Sequence, residues 1–446
     1  MALKNKLESI NDGETALRGS GIALLLLLSL LFECEGKSYV FVLGIIFAVV
    51  SALCITYASR CHTLQVQLER LVMPLLVVAG LAFMLVIPIT ADELPVPGFA
   101  TYGDGDTFAR IFSLPSFWLA KLFGAGLEAS CYFARFFNLI CCSFLIAFSI
   151  YAIPYCKSII AVIALMPASI RSIATASPTG TTLVFSMLFI SLALRSAFTK
   201  EGYILSLRLR VLLVFSAFLM IVCNISCLPF AVLVFMIPAS RFGNKKQLAA
   251  AVGSMAVLII AAVVLWIAYA PIATPSPVAE ASRTAQLVYI LSNPATFIMT
   301  FLRTLMIEGN RLLLEVIGSV PVSAESSFSL PWPFISTNIL SLIYVIYFDS
   351  GISPKRKYSI RTCAFGVFCY IFAIFTTYYM SKTVVAASTI SGLTGSLLLP
   401  VLLPSAIFIK RMLRHPAAEQ KNCSIALLFV VMCDIAAALS LYFAIH

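Results

Sequence analysis

From Leu248 to Tyr269 the chain runs 22 residues without a charge, and similar uncharged or nearly uncharged stretches recur along its length. These runs are continuous rather than alternating, so they read as helices that cross a membrane and not as strands of a barrel. With 61% hydrophobic residues, 11% charged and a mean hydropathy of +1.02 over 446 residues, no water-soluble domain could hide the apolar surface. The expected fold class is all-α: a polytopic integral membrane protein of about 11–13 transmembrane helices. The spans fall at 20–33, 39–57, 71–89, 131–153, 158–170, 181–198, 211–223, 226–239, 248–269, 334–348, 362–379, 393–409 and 423–444. The runs 158–170, 211–223 and 226–239 are short for a bilayer, and Pro167 and Pro229 mark expected breaks. The first 20 residues are polar and mixed in charge, so the first span is expected to serve as an uncleaved insertion signal.

Charge placement orients this map. With the amino terminus in the cytoplasm, 21 of the 30 Lys and Arg fall on inner segments, among them Lys355, Arg356, Lys357 and Arg361. The net charge of +11 is thus a topology signal, and no nucleic-acid partner is implied. The polar mass falls outside, at 90–130, 270–333 and 380–392, and the short inner turns leave no room for a cytoplasmic nucleotide-binding domain. No P-loop, GxGxxG signature or internal repeat is seen. Three units follow: an amino-terminal membrane module, 1–269, with an acidic loop; an extracytoplasmic segment, 270–333; and carboxy-terminal spans, 334–446. The 13 cysteines lie mostly in spans and read as small apolar packing residues.

The chemistry is expected to start in TADELPVPGFATYGDGDTFARIFSLPSFW, residues 90–118, which hold four of the 19 acidic residues. Asp92 and Glu93 follow the third span directly. Asp104 and Asp106 flank Gly105, which lets both carboxylates face one point, either to hold a divalent cation (Mg or Mn) or to act as general base beside a phosphate-bearing donor. A solvated turn with a capping aspartate is the plainer alternative. Arg110 lies four residues beyond Asp106, within reach if a helix starts there. Residues 114–130 read as an interfacial helix with Phe117, Trp118, Leu119, Leu122 and Phe123 on its apolar side. Arg135, near the start of the next span, needs a carboxylate from the loop or a lipid phosphate. In 283–318, Asn293-Pro294 is a helix start, and the helix carries Arg303, Glu308 and Arg311. The two arginines suit a diphosphate, or else form a surface network with Glu308 and Glu315. Lys382 is a further cation of the same type.

Two stretches carry a resemblance: 131–198, with Arg135 and LMPASIRSIATASPTGTTLVFSMLFISLALR, and 286–318, with Q-x-x-Y-x-x-x-N-P-x-x-F … IG. They resemble a family of bacterial predicted membrane proteins of unknown function whose members look like GT-C glycosyltransferases. The matching positions are Arg135, Pro167, Ser177, Gln286, Tyr289, Asn293, Pro294 and Gly318. The chain departs from the pattern where a Ser-x-x-Asp is expected and it reads Ser177-Pro178-Thr179-Gly180. It departs again where Gly-Arg-Tyr and Leu-Pro are expected and it reads Gly395-Ser396-Leu397-Leu398-Leu399-Pro400.

The resemblance implies a GT-C-like bundle in the bacterial cytoplasmic (inner) membrane. It implies transfer of a sugar from a polyprenyl-phosphate donor to a cell-surface glycan such as O-antigen, on the outer face. Asp104, Asp106, Asp92 or Glu93 would be the base. Arg110, Arg135, Gln286, Tyr289, Asn293, Arg303, Arg311 and Lys382 would bind substrate. The alternatives are a flippase or transporter of a lipid-linked glycan, with Asp434 as its intramembrane acid, a glycan polymerase or ligase, and a purely structural membrane protein.

Overall fold

The computed structural model describes residues 64–87, 89, 108–124, 126–198, 204–269, 283–321, 327–329, 332–349, 358–413 and 424–445. The spans expected at 20–33 and 39–57 and the four acidic residues of the loop lie outside them. The chain is a helical membrane protein. Among the described residues five helices are long and apolar enough to cross a bilayer, or seven if each of two bent pairs counts as one span. Shorter apolar helices at Val72–Val86, Ile225–Met236 and Phe334–Phe348 accompany them.

Helix α1 (Leu64–Val86) leads to the acidic loop. After a 3₁₀ turn at Phe108–Arg110 come α2 (Leu114–Leu122) and α3 (Leu127–Ala152). The interfacial helix expected over 114–130 is therefore shorter. Gly124, at φ +64, ends it, and the residues beyond join the next span. Trp118, Leu122 and Phe123 are exposed, as a helix lying on a membrane surface requires.

The break expected at Pro167 is present. Helices α4 (Lys157–Ala164) and α5 (Pro167–Ala174) meet at 65°. The proline pushes Met166 into an extended conformation (φ −65, ψ 142), where a helix cannot continue. Ser169 Oγ donates to Ile163 O across the break (2.6 Å), recovering a carbonyl that lost its helical donor. Helix α6 (Pro178–Phe198) is almost wholly enclosed, and α7 (Leu207–Cys223) packs beside it.

Around Pro229 the expected span 226–239 becomes a 3₁₀ helix, Ile225–Met236. Asn224 opens it by accepting a hydrogen bond from Ser226 N (2.9 Å). A short 3₁₀ turn, Ala239–Phe242, leads to α8 (Lys245–Tyr269). That helix lies at the periphery with Val252, Val257, Ile260 and Val264 bare, an apolar surface suited to lipid.

Next come α9 (Arg283–Ser292) and α10 (Pro294–Ile317), which meet at 103° with Asn293 at the corner and Pro294 in the first helical position. Two three-residue strands, β1 (Ser319–Pro321) and β2 (Ser327–Ser329), pair antiparallel, and they are additions to the all-helical expectation. Helices α11 (Trp332–Phe348), α12 (Tyr358–Lys382), α13 (Leu399–Met412) and α14 (Ser424–Ile445) complete the bundle. Helix α12 packs on the 3₁₀ helix 225–236, where the Phe230 and Tyr370 rings stack at 4.5 Å.

Candidate functional site

Both flanks of the acidic loop are fixed inside the bundle. Arg135, fully buried on α3, donates from Nη1 to Met84 O (3.1 Å) and Ile87 O (2.7 Å). These are carbonyls at the end of α1, where the helix has run out of donors and its dipole is negative, so a guanidinium suits them on both counts. Its Cζ also lies 5.7 Å from the centre of the Tyr132 ring. The sequence offered Arg135 a loop carboxylate or a lipid phosphate; these bonds to backbone were not foreseen.

On the far flank, Cys223 Sγ donates to Phe108 O (3.5 Å), and the Phe112 ring sits 5.5 Å from that of Phe185 on α6. Arg110 is buried there against α6 and α7, at the end of a 3₁₀ turn. Ser113 Oγ donates to Arg110 O (2.7 Å), tightening the turn into α2.

Helix α5 joins this region to the second half of the molecule. It packs on α1, α3 and α6 on one side and on α10 and β1 on the other. Asn138 on α3 donates to Ile173 O (2.7 Å) and accepts from Thr181 Oγ1 (3.4 Å), tying α3, α5 and α6 together. Gly180 occupies the place where the pattern expects aspartate. A Cβ there would run into the backbone carbonyl of Ser172, so no side chain fits. Ser177 Oγ lies 2.8 Å from Thr179 Oγ1 and accepts from Thr179 N (3.4 Å), so it caps the start of α6.

The second departure, at 395–400, is equally constrained. Residues 383–398 form a strap laid across α10. Thr304 Oγ1 accepts from Ile390 N (3.0 Å), and Arg311 Nη2 donates to Leu393 O (3.0 Å). Glu315 Oε2 accepts from Gly395 N (2.6 Å), and Tyr370 OH donates to Leu397 O (2.8 Å). Arg311 also pairs with Glu308 and Glu315, each at 2.6 Å. Of the two arrangements open for Arg311, a diphosphate clamp or a carboxylate network, its geometry matches the network.

The remaining candidates divide. Arg303 and Lys382 are exposed, and neither forms an ion pair among the described residues. Arg303 shares one face of α10 with Met299, Leu302 and Met306, all exposed. Gln286 is buried and bonded to the end of α12, with Tyr289 half-buried one turn away and Asn293 exposed at the corner, its side chain not capping α10. Asp92, Glu93, Asp104 and Asp106 lie outside the described residues. Among the described residues no group of three or more His, Cys, Asp or Glu could hold a metal ion.

Sequence reasoning did not single out Asn138, Thr304 or Tyr379, and it named Gly395 only within a departure from the expected pattern, not for its contact with α10. Each acts through partners tens of residues away, which no local spacing signals.

Asp434, in the middle of α14, is buried and its carboxyl oxygens make no hydrogen bond among the described residues.

No curated protein and no solved structure matches this chain. A family model described as "Predicted membrane protein (DUF2142)" matches residues 108–404, from the 3₁₀ turn holding Arg110 through the strap into α13. The chain belongs to that predicted membrane protein family.

Proposed function

We propose that the protein is a membrane glycosyltransferase of the GT-C kind, moving a sugar from a polyprenyl-phosphate donor to a glycan acceptor on the extracytoplasmic face of the bacterial inner membrane. The observation that carries this reading is Arg303, a cation without an ion pair among the described residues, set in an exposed apolar stripe of Met299, Leu302 and Met306. An amphiphile with a phosphate head and a long apolar tail satisfies both features at once. Lys382, at the start of the strap, adds a second exposed cation.

In the reaction, an acceptor hydroxyl attacks the anomeric carbon and the bond from that carbon to the phosphate oxygen breaks. The hydroxyl proton passes to a carboxylate of the acidic loop (Asp104, Asp106, Asp92 or Glu93), and polyprenyl phosphate leaves. Arg303 and Lys382 offset the charge that gathers on the leaving phosphate. Arg110 and Arg135 hold the loop's flanks in place. Should Asp104 and Asp106 bind Mg or Mn, the ion would stabilise the same phosphate.

The test is mass spectrometry of protein purified in mild detergent, together with transfer activity in membranes. We expect co-purifying polyprenyl phosphate in wild type and in Asp104→Asn/Asp106→Asn, and its loss from Arg303→Ala. One of Asp92→Asn, Glu93→Gln, Asp104→Asn and Asp106→Asn should abolish transfer in a folded, inserted protein. Polyprenyl lipid in no variant, or activity in all four single variants, would overturn the reading. A flippase is the second reading, favoured by the buried carboxyl of Asp434.

A further inference from the structure

Where α9 meets the end of α12, two buried polar groups face no partner. Gln286 is fully buried, and its Nε2 donates to Tyr379 O (3.2 Å), Thr383 O (3.0 Å) and Val384 O (2.9 Å). These carbonyls end α12, beyond the reach of helical donors. The three bonds also fix which way round the amide sits, since flipping it would set its oxygen against three oxygens. Its Oε1 is therefore the end left over, and no described residue donates to it. The Tyr379 side chain is buried as well. Its hydroxyl makes no hydrogen bond among the described residues, while its ring packs 5.2 Å from that of Phe297. Tyr289 lies one turn along α9 from Gln286.

Orphaned buried acceptors and donors are rare because each is costly, so two at one helix junction call for an explanation. We infer that Gln286 and Tyr379 form a recognition subsite for a hydroxyl group of the transferred sugar, an assignment that rests on the glycosyltransferase reading above. The chemistry is selective. An amide oxygen only accepts, whereas a phenol both donates and accepts. A sugar hydroxyl can donate to Gln286 Oε1 and a sugar hydroxyl can accept from Tyr379 OH, so a polyhydroxylated ring matches the needs of both groups. A phosphate or carboxylate would be repelled by Oε1, and a cation is disfavoured by Lys382, one turn beyond Tyr379. An apolar group would leave both orphaned. Half-buried Tyr289 and exposed Asn293 place the junction one layer beneath the surface.

Tyr379→Phe is the clean perturbation, because it deletes a hydroxyl with no partner among the described residues. Full-length wild-type and variant protein in detergent are titrated with bare polyprenyl phosphate and with a panel of polyprenyl-phosphate hexoses and pentoses, and binding is read by native mass spectrometry. We expect wild type to prefer at least one sugar-bearing lipid over the bare one. Tyr379→Phe should cut that preference about three- to tenfold, the worth of one neutral hydrogen bond, with affinity for bare lipid and the thermal midpoint unchanged. An unchanged preference would assign the hydroxyl to packing or a bound water and overturn the subsite alone. Equal binding of bare and sugar-bearing lipids by wild type would do the same. A lowered thermal midpoint in Tyr379→Phe would reveal a partner within the protein, also overturning it. Failure of wild type to bind any of these lipids would sink the glycosyltransferase reading and the subsite with it.

Discussion

Replacing Gly395 by alanine should detach the strap 383–398 from α10. The backbone at Gly395 sits against that helix so closely that an added Cβ would run into Glu315 Cβ and Leu312 O, with Val316 N 2.8 Å away. Two of those three atoms belong to helix backbone, which cannot swing aside as a long side chain would. The strap must therefore lift. Overpacking of this sort costs about 1–3 kcal/mol. Lifting also stretches the bond from Gly395 N to the Glu315 carboxylate (2.6 Å), and a hydrogen bond to a charged group contributes about 1.5–3 kcal/mol. Together these suggest a loss on the order of 3–5 kcal/mol, and a drop of about 3–5 °C in thermal midpoint for a chain of this length. The assay is thermal unfolding of the full-length protein in detergent, with limited proteolysis to report cleavage near Lys382. The paired control is Gly253→Ala in the lipid-facing helix α8, where an added Cβ meets nothing within 4 Å. That change should be neutral, or stabilise by about 0.5–1 kcal/mol through backbone entropy alone. Wild-type stability and proteolysis in Gly395→Ala would refute the close approach.

Two further substitutions separate structural from functional charges. Arg303→Ala should leave the thermal midpoint unchanged while weakening lipid binding, whereas Arg311→Ala should lower the midpoint by the equivalent of about 1–3 kcal/mol, because it strips buried Glu315 of its cation; identical stability of the two variants would show that the Arg311 network carries no weight. Asp434→Leu removes a buried carboxyl that no described residue hydrogen-bonds, so stability should hold or rise and sugar transfer should persist; loss of function in a fully folded Asp434→Leu protein would instead favour the transport reading.

Much of the architecture was legible in the chain because its causes are local. Unbroken apolar runs demand helices in a bilayer, whose interior offers no water to backbone groups. Pro167 broke its helix where a proline must, since its ring excludes the preceding residue from helical geometry, and Pro294 took the first helical position of α10, where its missing N–H costs nothing, although the Asn293 side chain does not cap that helix. Lengths were less secure. The helix read over 114–130 stops at Leu122, because Gly124 takes up a left-handed conformation, and a new helix, α3, starts at Leu127.

What only the tertiary structure decided is which charges are free. Arg303 and Arg311 are eight residues apart on one helix, and nothing in their spacing tells them apart. Folding brings Leu393 and Gly395, some eighty residues on, against Arg311 and Glu315, and that contact commits one arginine to the scaffold while leaving the other without an ion pair among the described residues. The same holds for Arg135, drawn to the end of α1 across about fifty residues, and for Gln286, whose amide closes α12 from another helix. Local sequence sets backbone preference and hydrophobic face. The fate of a polar side chain depends on which distant carbonyl or carboxylate the packing delivers, and that is a property of the assembled bundle.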